Sequence, residues 1–337
     1  MKRLSVLTVS VLSAAVMGLT GCGDSSTSAA DATSAKKIQQ VVIYTNADEE
    51  AQTAMKNALN RKGFEGQYVM QSFGTSELGG KLAAEGKSIE ADVITISTYY
   101  LDSYQKKNNM FAKLDFSLKT LNPTPNYYAP ILGNTGAIFV NTEVMKAMKV
   151  AAPKALKDLA KPEYKGKISV PDIMGSSTSW LMTQAVFAAE GDEKGAKTIA
   201  AIENNAGAHL EKSGSAPLKK LRAGEAAIGF GLRHQAVADK ARGLPIDYID
   251  PIEGNFQLVE ASAVIDKGAK TNPNAQKMVE VIATEGRKEL IQFYPVALYE
   301  GEEVTAENKP AYPKTWKEPL TVELLQAHQK AVKRAHS

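Results

Sequence analysis

Three times between residues 41 and 107 a short apolar run is followed by a helical stretch, and this alternation does most to limit the folds open to the chain. Val41, Val42, Ile43, Tyr44 and Thr45 form an unbroken run of strand type, as expected where a sheet is covered on both faces. A helix is predicted over 47–59, with Ala51, Met55 and Leu59 recurring on one face. Strands at 67–71 and 91–96 and helices at 75–85 and 98–107 repeat the pair. Such an order predicts a parallel sheet with right-handed crossovers.

The pattern then breaks. Residues 114–134 are rich in Pro and Asn, carry Tyr127 and Tyr128, and read as an irregular passage. Beyond it come a strand at 136–140, helices at 142–148 and 153–159, a strand at 167–170, and helices at 177–190, 193–204 and 216–223. Strands follow at 226–230 and 246–249 around a helix at 233–241. A strand at 258–265 reads as a return crossing, ahead of helices at 275–283 and 286–293 and a mostly helical tail. The class is therefore α/β, with one lobe over 38–135 plus 258–337, a second over 136–257, and two hinge strands joining them. Two lobes so joined enclose a cleft, the usual place for a ligand, and closure on it is a hinge motion.

Ligands of open α/β sheets sit beyond the carboxyl ends of strands, and those ends are polar here. The first strand ends in Thr45 and Asn46, the second leads to Gly74, Thr75 and Ser76, and the third ends in Ser97 and Thr98. In the second lobe Ser176, Ser177, Thr178 and Ser179 stand just before the long helix. Helix capping explains one hydroxyl at such a turn. A run of four, with the free N–H groups of a helix start, suits an anion. Arg233 and His234 follow the strand at 226–230, where Arg233 has the fork geometry for a carboxylate or phosphate.

The N-terminus has a separate logic. Lys2 and Arg3 precede an apolar stretch at 4–19, and Leu19, Thr20, Gly21 and Cys22 follow, the layout of a leader ending in small residues. The tetrad resembles a bacterial lipobox, which makes 1–21 a lipoprotein signal peptide and Cys22 the lipidated (palmitate-bearing) residue. Residues 22–37 hold Ser, Ala, Thr and Asp with no large apolar side chain, so they read as a flexible tether. Cys22 is the only cysteine, which excludes a disulfide framework and a thiolate metal site. The net charge of +3 includes Lys2 and Arg3, and no basic run interleaved with aromatics supports nucleic-acid binding.

Taken in order, these segments resemble the periplasmic solute-binding proteins of ABC importers, in the subgroup that binds ferric ion, phosphonates such as 2-aminoethylphosphonate, or hexose phosphates. The resemblance spans nearly all of 41 to 293 and rests on several segments. They are the opening strand, Gly74-Thr75-Ser76-Glu77-Leu78, Ala91-Asp92-Val93, the strand from Gly136 to Val140 with Asn141-Thr142, Pro171-Asp172 with its Ser/Thr run, Gly224-Glu225-Ala226-Ala227-Ile228, and Gly243-Leu244-Pro245-Ile246-Asp247. It implies a type II two-lobed fold and a monomer without a cofactor. Its role would be to capture solute for an ABC permease and ATPase, in the periplasm or otherwise outside the cytoplasm, lipid-anchored to the membrane. Ferric-binding members use two adjacent tyrosines after the strand that is 226–230 here, where this chain has Gly231-Leu232-Arg233-His234-Gln235. That departure favours an anionic organic solute, a phosphonate or phosphate ester first, over ferric iron; Tyr99-Tyr100 and Tyr127-Tyr128 are the pairs that keep iron open. A secreted hydrolase with a serine of the 176–179 run and His234 as base is the remaining alternative. None of the usual nucleophile, zinc or P-loop motifs accompanies it.

Overall fold

The computed structural model describes residues 39–337, and the leader, the tether and Cys22 lie outside them. Ten strands form the sheet: β1 (Val41–Thr45), β2 (Tyr68–Ser72), β3 (Val93–Ser97), β4 (Ala129–Asn141), β5 (Ile168–Pro171), β6 (Leu210–Glu211), β7 (Ile228–Leu232), β8 (Ile246–Ile249), β9 (Asn255–Val264) and β10 (Pro313–Lys314). Their order is β2-β1-β3-β9-β4-β7-β5-β6, with β8 on β4 and β10 on β9. As the alternation at the start of the chain requires, β1 pairs in parallel with both β2 and β3. Their crossovers are α1 (Glu49–Arg61) and α2 (Thr75–Glu85), followed by α3 (Thr98–Asn108). Ala51, Ala54, Met55, Ala58 and Leu59 put a buried stripe on α1 at helical spacing.

Two long antiparallel strands tie this half to the other. Between Ala129 and Thr135, β4 pairs with β9; from Gly136 onward it pairs with β7 and β8 instead. The strand thus starts well before the expected 136, inside the passage read as irregular. Its Pro130 lacks an N–H for the ladder, and the register slips between Pro130 and Leu132, which is where a sheet tolerates proline. Arg287 repairs the slip: its Nη1 donates to the Ile131 carbonyl at 3.1 Å, while Glu302 takes its Nε at 2.7 Å.

The second half carries α4 (Thr142–Met148), α5 (Ser177–Glu190), α6 (Asp192–Ala206), α7 (Ala216–Arg222) and α8 (Arg233–Ala241). Helix α5 is buried on all sides from Ser177 to Phe187, so it acts as a central pillar rather than a surface helix. Ile138 and Val140 of β4 face the main core, and Ala137 and Phe139 face a smaller one beneath α7 and α8, as strand alternation demands. Helices α9 (Ala275–Val281) and α10 (Arg287–Phe293) join through a single π turn at Ile282–Gly286. The tail is less helical than expected: only α11 (Val322–Ala335) is regular beyond it, apart from the short β10 and a 3-10 turn at Ala306–Asn308. The expected helix over 153–159 is a 3-10 turn, Leu156–Ala160, whose Leu156 and Lys157 N–H groups are held by Glu253.

Gly136 stands where β4 changes partners, and a Cβ there would lie 2.4 Å from Phe230 Cζ and 3.1 Å from Leu181 Cβ. Both neighbours belong to the core, so the space is closed to a methyl group. Gly136→Ala is expected to lower the free energy of unfolding by about 1–3 kcal/mol, read from the midpoint of urea denaturation. An unchanged midpoint would show that the Phe230 ring yields freely.

Candidate functional site

A cleft of about 450 Å³ opens where the carboxyl ends of β1 and β2 meet the loops that follow β5 and β6. One wall is the turn at the start of α5. Ser176 caps that helix, its Oγ accepting from the Thr178 N–H at 3.2 Å, which leaves Ser177 and the first-turn amides toward the cleft. Opposite them, Thr75 Oγ1 stands 3.5 Å from Ser177 Oγ and accepts from Asn46 Nδ2 at 3.1 Å. Ser177 and Thr75 therefore touch across the cleft, although 102 residues separate them. The lining loop from Lys212 to Ser215 packs against this turn, and it can do so because Gly214 has no Cβ: one there would fall 2.0 Å from Thr178 Oγ1.

The floor has different chemistry. It is made by Leu132 and Asn134 of β4 and by Glu260 of β9, with Asp48 at its edge. Leu132 and Glu260 are directly opposite in the ladder, so Asn134 is the diagonal neighbour of Glu260. The Glu260 carboxylate is 4% exposed and accepts from Asn46 Nδ2 at 3.0 Å and Asn134 Nδ2 at 3.5 Å. Burial pushes its pKa to about 7, and burial together with Glu50 pushes Asp48 to about 6. Lys212 and Lys219 line the rim and are both exposed.

Of the residues expected at a ligand site, Asn46, Gly74, Thr75, Ser176, Ser177 and Thr178 line this cleft together. Thr45, Ser76, Ser97, Thr98 and Ser179 do not. Thr45 is fully buried, its Oγ1 accepting from the Ala47 N–H and the Thr95 hydroxyl, and Ser97 and Ser179 are fully buried too, their hydroxyls without a partner among the described residues. Ser76 lies against Tyr100, and Thr98 opens α3.

Arg233 and His234 do not line this cleft. Asp250 takes the Arg233 guanidinium bidentately, at 2.8 and 3.1 Å, the Glu307 carbonyl takes Nη1 at 2.7 Å, and the Tyr248 ring lies 4.5 Å away. With its donors so engaged, Arg233 braces β7 and β8 against the tail and does not reach into the cleft. His234 packs on Tyr294, 4.6 Å between ring centres, and lines a neighbouring chamber of about 580 Å³ with Phe293 and Pro295. Burial lowers its basicity, and no hydrogen bond joins it to a serine of the 176–179 run among the described residues. The tyrosine pairs also lie elsewhere. Tyr99 and Tyr100 are buried on α3, with Tyr99 edge-on to Trp180, and Tyr127 donates to Asp102 at 2.6 Å.

Lining residues that sequence reasoning missed include Asn134, Lys212, Lys219 and Glu260. For Lys212 to Ser215 a signal existed, a Ser-Gly-Ser turn ahead of a helix, but β6 is only two residues long and does not announce itself as a strand.

A family model described as "Bacterial extracellular solute-binding protein" matches residues 91–318. The chain is 29% identical over 185 residues to the Fe(3+)-binding periplasmic protein of Serratia marcescens, covering 52% of each. It is 26% identical over 208 residues to the spermidine/putrescine-binding periplasmic protein of Escherichia coli, covering 57% of this chain and 58% of that one. These matches span little more than half the length of the curated relatives. The structure is similar to that of the periplasmic binding protein AfuA of Actinobacillus pleuropneumoniae with exogenous fructose-6-phosphate bound, at a TM-score of 0.67 and 18% identity. That likeness covers 88% of this chain and 96% of AfuA, so the two share a fold, the two-lobed architecture of periplasmic binding proteins.

Because the Arg233–Asp250 pair is buried, with side chains 5% and 10% exposed, removing one partner leaves an uncompensated charge. Arg233→Ala is expected to cost about 3–5 kcal/mol of stability, and Arg233→Ala combined with Asp250→Asn to recover part of it. Equal urea midpoints for the wild type and Arg233→Ala would show that the pair contributes nothing.

Proposed function

The chain belongs to the bacterial extracellular solute-binding proteins, and on that premise we propose that it is the solute-capturing component of an ABC importer, binding a small organic molecule through a phosphate or phosphonate group. It works outside the cytoplasm as a monomer, tethered by lipid on Cys22, with 38–135 plus 258–337 as one lobe and 136–257 as the other. It delivers its solute to a membrane permease driven by an ATPase, and it carries out no chemistry on that solute.

One observation carries the choice of ligand: the hydroxyls of Ser177, Thr178 and Thr75 converge at the first turn of α5, with Lys212 and Lys219 on the rim. A helix start supplies unpaired N–H groups and a positive dipole end, and hydroxyls and ammonium groups add donors to the several oxygens of a phosphoryl group. Iron is a weaker reading here. Ferric ion calls for hard anionic oxygens, and Tyr294 is the one tyrosine among the described residues lining the cleft.

Thermal unfolding with a panel of phosphonates, sugar phosphates, inorganic phosphate, carboxylates and ferric citrate tests the choice. A ligand at about a thousand times its dissociation constant adds about 4 kcal/mol, a shift of several degrees. Phosphonates or phosphate esters are expected to shift the transition, and Ser177→Ala and Lys212→Ala each to weaken that ligand about 10-fold. A response to ferric citrate alone would refute the anion reading. For the tether, Cys22→Ser is expected to abolish palmitate labelling and release the protein from membranes; continued membrane binding would rule out lipid on Cys22.

A further inference from the structure

The floor of the cleft presents hydrogen-bond acceptors with too few donors. Glu260 is a buried carboxylate held by two side-chain amides and by no cation among the described residues. Both amides donate their Nδ2 groups to it, which fixes the direction of each: the carboxylate can only accept, so each amide oxygen must turn away. Those oxygens, Asn46 Oδ1 and Asn134 Oδ1, are buried and have no partner. Asn134 is 8% exposed and lines the cleft, so its oxygen is an unsatisfied acceptor at the wall of an open space. At the edge of the floor, Asp48 Oδ1 is in the same condition.

A buried acceptor without a donor costs about 1–3 kcal/mol, more when charged, so three in one place, beside a carboxylate with no cation, mark something that the bound state supplies. The missing group must donate several hydrogen bonds, accept none and neutralise negative charge. A primary ammonium has that inventory, three donors and no acceptor. The charge balance agrees: Asp48, Glu49, Glu77 and Glu260 line the cleft against Lys212 and Lys219, so a purely anionic guest would meet a net negative site.

We propose that Glu260, Asn134, Asn46 and Asp48 form an ammonium subsite, and that the captured solute is zwitterionic, with a primary amine on the floor and its anionic group at the start of α5. The inference rests on the reading of this cleft as the solute site and assigns its second pole. Glu260 is the residue that separates amine-bearing solutes from the rest.

Isothermal titration of the intact protein with 2-aminoethylphosphonate, ethylphosphonate and 2-hydroxyethylphosphonate tests it. The amine is expected to bind about 10- to 100-fold more tightly than either analogue, the range for hydrogen bonds to charged groups. Glu260→Gln keeps the shape and removes the charge. It is expected to erase that preference by weakening the amine, with no matching loss of ethylphosphonate. Equal affinities for the three compounds, or an equal loss of all three in Glu260→Gln, would overturn the subsite; the comparison within the wild type stands even if the variant does not fold. Should no phosphonate bind, the anion reading fails by itself, and putrescine then decides the floor. Binding of putrescine that Glu260→Gln abolishes supports the ammonium subsite, and no binding of putrescine overturns it.

Discussion

The antiparallel pairing of β4 with β9 is the contact on which the rest of the molecule depends. Without it the β1, β2 and β3 sheet and the β5, β6 and β7 sheet would be separate sheets, because no other strand among the described residues pairs with members of both. The ladder has to pass a proline at 130, and it does so with a bulge whose freed carbonyl is taken by Arg287. Arg287 is itself 3% exposed and held by Glu302, so the crossing is fastened to the C-terminal part of the chain. A buried guanidinium is stable only with its donors satisfied, and here the strand needs the arginine as much as the arginine needs the strand.

The two poles of the cleft follow from the backbone that supplies them. Donors collect at the first turn of α5 because a helix start always leaves N–H groups unpaired. Acceptors collect on the floor because strand geometry puts Asn134 and Glu260 on the face that Leu132 also shares. Burying Glu260 without a cation weakens the unliganded protein, which is consistent with the upward shift of its pKa to about 7. Binding sites commonly hold such unfavourable arrangements, since the guest, rather than the fold, completes them.

How far the sequence could be read follows the range of the interactions involved. Strands β1, β2 and β3, helix α4 and strand β8 were legible because their signals are local: apolar runs, helical periodicity and flanking turn residues. Ser176, Ser177 and Thr178 were legible for the same reason, as a polar run at a strand end. The first half of β4 was hidden by Pro130, Gly133 and Asn134, each of which argues for a loop when read alone. The pairing of Arg233 with Asp250 had no local signal, because Asp250 lies 17 residues on with a strand between them. Nothing in the chain near Asn134 refers to Glu260, 126 residues away. Their meeting is a property of the ladder, and only the fold reveals it.

The placement of the two poles also makes the cleft act as a gauge of length. Asn134 and Glu260 belong to β4 and β9, the strands that join the two halves, where a hinge between those halves would have its axis. Thr75 and Ser177 belong to opposite halves and meet at 3.5 Å, farther out. On the proposed reading, a rotation would leave the floor nearly still, like a fulcrum, and carry the hydroxyl wall through the wider arc. A solute too short to reach from fulcrum to wall can occupy the floor and exert no leverage. One that spans the distance would pull the far ends together, so reach would be selected along with charge.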